Sequence, residues 1–372
     1  MVQRLFWILA AVLIAGCSQS TPPRPIFIGH IAALSGGDRA IGEHARHGME
    51  LAVDEANKPE SRIDGRPFAI LHVDSKNDAD AFQPETVRLI TVNRVAALVG
   101  GTDINEAERI GKAAEAYETV LLTPAALPGK PLGSNVFSLN ASLGAYGAAL
   151  AKFIGSELKP ARVAVLVDGR LRSAEPFTET FNRQAAKEPA FQVQSWNFKS
   201  DAELLALAEA LVKSNPTAVV HVGNLADFVR VRQRLKGTPF KPAWLLGGAL
   251  DPRIPSTVDQ ESLEGLYRAT AAAPDDASAF AKAYAARYQE GPDSSALLGY
   301  DAIRLITEGL RRVRKDSNTR LRTELQKAEP PFEAAGGPLT FDPQQNARRP
   351  IVVVQSKGGK DVSIKRYDFD GL

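Results

Sequence analysis

The stretch from Ile26 to Gly42, Ile-Phe-Ile-Gly-His-Ile-Ala-Ala-Leu-Ser-Gly-Gly-Asp-Arg-Ala-Ile-Gly, constrains the fold of this chain more than any other. From Ile26 to Ala32 every residue except His30 is apolar or glycine, which predicts a strand covered on both faces, as in a parallel sheet. Ser35, Gly36 and Gly37 break the run. From Ile41 the apolar residues recur at helical spacing, with Ala45, Met49, Ala52 and Ala56 on one stripe and Glu43, His47, Glu50 and Asp54 opposite. A strand that passes through a small polar loop straight into a helix is the repeating unit of a doubly wound sheet. Ligands in such sheets sit beyond the carboxyl ends of the strands, so the loop from Ser35 to Gly42 is the first candidate wall of a binding site.

The unit recurs along the chain. Strands are expected at 67–74, 96–99 and 119–122, with helices at 79–93 and from Asp103 to about Tyr117. A second series follows a strand at 136–139: helix 143–158, strand 161–167, helix 173–187, then segments 191–196, 202–213, 218–222, 226–235 and 243–246 in alternation. Two consecutive α/β series in a chain of 372 residues predict two doubly wound parallel-sheet lobes. The final third is mixed, with a strand at 263–270, helices at 277–288, 296–312 and 321–327, and short strands at 337–341, 350–354 and 362–367. Segments that return to complete two existing lobes account for such a mixture better than a third domain does.

The cysteine count narrows the setting. Cys17 is the single cysteine, so neither an intrachain disulfide nor a cysteine metal cluster can form. Arg4 precedes an apolar run from Leu5 to Ala15 that is too short to span a bilayer and reads as a signal sequence. Its ending, Leu13-Ile-Ala-Gly-Cys17, resembles the lipobox of bacterial lipoproteins. That resemblance implies a signal peptide over 1–17, a lipid on Cys17 and a mature protein in the bacterial cell envelope, anchored to a membrane and facing the periplasm or exterior. Residues 18–25 hold no core-forming side chain and read as a tether.

Charge and motif content exclude several classes of function. A formal charge of +2 supplies no field for nucleic acid. The chain has no Gly-x-Ser-x-Gly elbow, His-Glu-x-x-His pair, P-loop or Gly-x-Gly-x-x-Gly, and a lipidated Cys17 leaves no thiol nucleophile. No catalytic residue, cofactor or metal is therefore expected. His44 and His47, beside Glu43, fall on the flank and polar face of the first helix, where solvent exposure explains them. His30, His72 and His221 fall in strands and are expected as hydrogen-bonded core groups.

Several ordered fragments resemble the type I periplasmic binding proteins, in particular the leucine/isoleucine/valine-binding branch that feeds ABC importers. They are Ile28-Gly, Leu34-Ser-Gly36, Ile41-Gly42 and Gly48-Met-Glu-Leu-Ala-Val-Asp-Glu-Ala-Asn57, then Asp74 and Asp78. Ala97-Leu-Val-Gly-Gly101, Leu122-Thr-Pro-Ala-Ala126, Val136-Phe-Ser-Leu-Asn140 and Gly337-Pro-Leu-Thr-Phe-Asp342 complete the set. The resemblance implies three crossings between lobes, near Asn140, Ala272 and Gln345. Lobe one would then be 26–140 plus 273–345, and lobe two 141–272 plus 346–372.

The function so implied is capture of a small polar ligand, an amino acid or related compound, between lobes that close about a hinge and pass it to an ABC permease. Ser35, Gly36, Ile41, Thr102, Asp103, Thr123 and Ala125 would furnish the lobe-one wall, and Arg172, Asn224 and Asp251 the lobe-two wall. Asp103 is also expected to cap the helix after it. The clamp for an α-amino acid is not retained. Ile41 stands where the resembled proteins carry an aromatic ring, and Asp103-Ile104 near their serine. Leu127 stands at their threonine, Asn224 and Arg172 at tyrosines, and Gly248 or Ala249 at an acidic residue, with Asp251 just beyond. Arg172 or Arg170 could instead answer an anionic solute. The alternative is an envelope lipoprotein that uses the same fold as an interaction module, such as an activator of a cell-wall synthase.

Overall fold

The computed structural model describes residues 23–76, 78, 80, 82–188, 191–248, 260–271, 274–314 and 318–368. Cys17, the signal segment and Asp251 lie outside the described residues. Two sheets organise the chain. The first has the order β2-β1-β3-β4-β5, built from Ile26–Ala32 (β1), Phe68–Asp74 (β2), Ala97–Gly100 (β3), Leu121–Thr123 (β4) and Val136–Ser138 (β5). All its pairings are parallel, with Ile28 level with both Ile70 and Ala97.

Side-chain alternation sorts this sheet's two faces. Ile26, Ile28, Ala97, Val99, Leu122 and Phe137 pack on one side beneath α1 (Arg39–Ala56), α8 (Ala279–Tyr288), α9 (Ser294–Val313) and α10 (Asn318–Lys327). Ile31, Leu98, Leu121 and Val136 face α2 (Phe82–Thr91) and α3 (Ile104–Ala116).

The second sheet runs β14-β13-β10-β9-β8-β6-β7. Its strands are Arg162–Asp168 (β6), Gln192–Phe198 (β7), Ala218–Val222 (β8), Ala243–Gly247 (β9), Tyr267–Thr270 (β10), Ile351–Lys357 (β13) and Lys360–Tyr367 (β14). Val163, Val165, Val220 and Leu245 pack under α4 (Leu143–Phe153) and α5 (Ala174–Ala185). Ala164, Leu166, Val219 and Leu246 pack under α6 (Asp201–Ser214) and α7 (Leu225–Arg234).

Three details differ from the sequence reading. The second sheet is not parallel throughout: β10 pairs with β13 and β13 with β14 in antiparallel fashion. The two-residue turn Gly358-Gly359, both at positive φ, leaves β13 and β14 no other arrangement. The strand expected from 263 begins only at Tyr267, because Gln260–Leu263 winds into a 3-10 turn. A short ribbon, Phe332–Ala334 (β11) with Gly337–Leu339 (β12), replaces the single strand expected at 337–341. Among the described residues no helix is long and apolar enough to cross a membrane.

The chain passes between the sheets three times, and the passages are tied together. Tyr146 donates its hydroxyl proton to Asn140 Oδ1 at 2.5 Å and accepts from Ala271 N at 3.1 Å, joining the first passage to the second. Ala347 N donates to Ser138 O at 2.9 Å, joining the third to the first. Arg349, buried, reaches Leu139 O through Nε at 2.7 Å and Asp301 Oδ2 on α9 through Nη2 at 2.5 Å.

Candidate functional site

The row Ile26, Ile28, His30 on β1 runs beneath α1 and α9 and leaves the apolar core at its carboxyl end, where His30 helps to floor a cavity of about 550 Å³. Ala45 and Met49 of α1 and Ser295, Leu298 and Gly299 of α9 form one wall; Val99, Gly100, Pro124 and Ala126 at the ends of β3 and β4 form another. Ile41, Asp38, Thr102 and Asp103 line the mouth, and Asn224 closes it from the second sheet. The cavity sits where the doubly wound geometry places a ligand.

Of the residues selected from sequence, Ile41, Thr102, Asp103 and Asn224 meet at this cavity. Asp103 caps α3, accepting from Asn105 N and Glu106 N at 2.7 and 3.0 Å. Thr102 donates its N–H and hydroxyl to Glu106 Oε2, each at 2.7 Å. Burial pushes the Glu106 carboxyl up, and those two bonds only partly oppose it. Asn224 caps α7, accepting from Asp227 N at 2.8 Å.

The other selected residues lie elsewhere. Thr123 is fully buried, donating to Gly101 O at 2.7 Å, and Ala125 packs into the core under α3. Their neighbours Pro124 and Ala126 face the cavity instead. Ser35 bonds the Asp74 carboxyl and is the main reason that carboxyl lies below its usual range. Gly36 makes the turn before α1 at φ +79°.

The lobe-two arginines already have carboxylate partners. Arg170 bonds Asp168 Oδ2 at 2.7 Å and Asp227 Oδ2 at 2.5 Å. Burial raises the Asp168 carboxyl, but the hydrogen bonds from Arg170 outweigh it and leave the group low. Arg172 reaches across the gap between the sheets and grips Glu108 of α3 with both Nη atoms at 2.7 Å. With the Arg172 side chain 60% exposed, water screens the pair and it adds little to stability. Arg172→Ala is therefore expected to leave the denaturation midpoint nearly unchanged. It should shift the ligand-free protein toward separated lobes, read as a larger radius of gyration by small-angle X-ray scattering; an unchanged radius would remove the clasp.

Sequence reasoning did not select His30, Asp38, Ala45, Met49, Asn140, Ser295 or Leu298. His30 carried a signal, since it is the one polar side chain in an otherwise apolar strand. Its Nδ1 lies 2.9 Å from His72 Nδ1 on β2. Burial, then the neighbouring His72 and Arg46, holds the His30 pKa well below the usual value, and burial brings His72 to about 4. His221, on β8, is stacked on Phe198 with Phe228 tilted beside it, and is likewise lowered by burial to about 4.

An unfolded histidine titrates near 6.5, so between about pH 6.5 and 4 the unfolded chain binds more protons than the folded one. Stability must then fall as the pH drops through that window, by up to about 3 kcal/mol for one fully buried ring. Urea midpoints at neutral and mildly acid pH should show this fall, and His221→Phe should flatten it. A midpoint independent of pH would contradict the assignment.

The chain matches the family model described as "Periplasmic binding protein" over residues 25–361. The Leu/Ile/Val-binding protein homolog 7 of Brucella melitensis is 22% identical, covering 98% of this chain and 96% of that protein. A leucine binding protein, LivK, from Thermotoga maritima has a TM-score of 0.80 at 22% identity, over 93% of this chain and 100% of that one. A solute binding protein of an ABC transporter from R. palustris, solved with benzoate, has a TM-score of 0.74 at 18% identity, over 92% and 96%. The family model runs from before β1 into β14 and so takes in both sheets and the passages between them, whereas the fragments found in the sequence lie in the first sheet, at the first passage and at 337–342. This chain belongs to the periplasmic binding protein family, and its fold is that of the type I members related to leucine-binding proteins.

Proposed function

We propose that this protein captures a small solute between its two lobes and delivers it to an ABC importer from a lipid-anchored position outside the cytoplasm. The observation that carries the reading is the 550 Å³ cavity at the carboxyl ends of the first sheet's strands, roofed by Asn224 from the second. The family consists of ligand-binding transporter components, and the relatives named above bind leucine or benzoate in their descriptions. The separate core of each sheet supports the division into 26–140 plus 273–345 and 141–272 plus 346–372. The lipobox-like ending at Cys17 supports the anchor, which Cys17→Ala would release from the membrane fraction.

Trp244 is buried in the second lobe away from the cavity, so heat rather than its fluorescence is the better reporter of binding. Thermal shift across a library of amino acids, aromatic acids, amides and alcohols should find a solute that saturates in calorimetry. A ligand at a hundred times its dissociation constant adds about 2.7 kcal/mol to the folded state. If no solute shifts the transition and native mass spectrometry finds none carried through purification, the reading fails.

A further inference from the structure

The way the cavity is finished says which solute it takes. A helix opening onto a cleft ordinarily presents unbonded backbone N–H groups to an anion. At α3 these groups are already answered by charged oxygens: Asp103 takes two backbone N–H groups, and Glu106 turns back over Thr102. The neutral amide oxygen of Asn224 takes one N–H at α7, and Asp293 Oδ1 accepts from Ala296 N at 2.9 Å at α9; at α1 no side chain caps the helix, and the backbone carbonyl of Asp38 receives Ile41 N and Gly42 N. A carboxylate brought to this wall would meet Asp103, with Glu106 behind Thr102 and Asp38 beside it. No lysine or arginine lines the cavity among the described residues; Arg109 and Lys112 belong to the adjoining outer groove. Arg170 and Arg172 are each held by carboxylates.

The second observation is His30, 1% exposed and at the cavity floor. Its Nδ1 contact with His72 Nδ1 requires one ring to donate and the other to accept. Two neutral rings satisfy this in either direction. His30 then offers its remaining nitrogen as an acceptor or as a donor, and suits an uncharged group that can play the complementary part.

We infer, resting on the solute-binding reading, that the cavity takes a small solute with an apolar body and an uncharged hydrogen-bonding head, an amide or an alcohol, and rejects the carboxylate of the same shape, with His30 reading the head. The test uses matched pairs, benzamide against benzoate and 4-methylpentanamide against 4-methylpentanoate, with leucine alongside, titrated calorimetrically into the full-length purified protein. The amide is expected to bind at least tenfold more tightly than its carboxylate. Asp103→Asn with Glu106→Gln, which keeps the caps and removes the charges, should shrink that ratio below about threefold. His30→Leu should weaken the amide at least tenfold. His72→Leu, which leaves the cavity lining intact, should move the His30 nitrogen resonances and the amide affinity together. Tight binding of benzoate, 4-methylpentanoate or leucine, unaffected at Asp103, Glu106 and His30, would overturn this inference and leave solute capture standing. No heat from any of these probes in a folded protein would overturn this inference, while solute capture falls only if the wider library and native mass spectrometry are blank as well.

Discussion

Arg349→Ala is expected to cost about 3–5 kcal/mol of folding free energy, the range for removing one partner of a buried ion pair. Arg349 is 4% exposed and Asp301 is 0% exposed, so the orphaned carboxylate would have no water to turn to. Asp301 Oδ1 keeps its bond from Ala335 N at 2.7 Å, which fixes the carboxylate in place. The arginine also bonds Leu139 O, so its loss removes its side-chain ties from the third passage to the first and to α9 in one step, leaving the backbone bonds at Ser138 between the passages. Arg349→Met with Asp301→Leu removes both charges together and should recover most of the loss, because the pair's cost lies in breaking it and not in lacking it. Chemical denaturation of the two singles and the double, closed as a cycle, measures the coupling. A single-variant loss below about 1 kcal/mol would mean that water reaches Asp301 and that the pair does not pin the hinge.

Much of this architecture is legible in the residues, and the limits of that legibility have physical causes. Apolar runs such as Ala161–Val167, interrupted only by Arg162, mark covered strands, and β6 forms one residue on, at Arg162–Asp168. The site is harder to read because strand alternation punishes a shift of one residue. Choosing Thr123 and Ala125 in place of Pro124 and Ala126 puts the selected side chains in the core and their neighbours at the cavity. Arg172 looks available in sequence because its partner Glu108 is more than fifty residues away and meets it only in the fold; Arg170 has one partner beside it, Asp168, but its second, Asp227, is equally remote. The wall from α9 was invisible for the same reason: Ser295 and Leu298 follow in sequence long after β1, and only the packing of α9 on α1 brings them to His30. The antiparallel edge of the second sheet was the exception, since Gly358-Gly359 announces a hairpin that the sequence reading did not use.

Gly48→Ala is the substitution expected to damage site and fold together, at a cost of about 3 kcal/mol from overpacking alone. A Cβ at Gly48 would lie 2.0 Å from Ala296 O, and one at Gly299 would lie 2.3 Å from Ala45 O. The two helices therefore cross backbone against backbone, each glycine receiving a carbonyl of the other. Neither carbonyl can swing aside without breaking its own helix, so α1 and α9 must move apart. Alanine's better helix propensity returns at most about 1 kcal/mol. Ala45, Met49, Ser295 and Gly299 stand on the same two helices and line the cavity, so separation widens it and weakens solute binding as well. Gly36→Ala is the control. It meets nothing within 4 Å but must hold φ +79°, and should cost about 1–2 kcal/mol without touching the cavity wall. Urea denaturation and calorimetry on both variants separate the two effects. If Gly48→Ala proved as mild as Gly36→Ala and bound solute normally, the close crossing of α1 and α9 would not be what shapes the cavity.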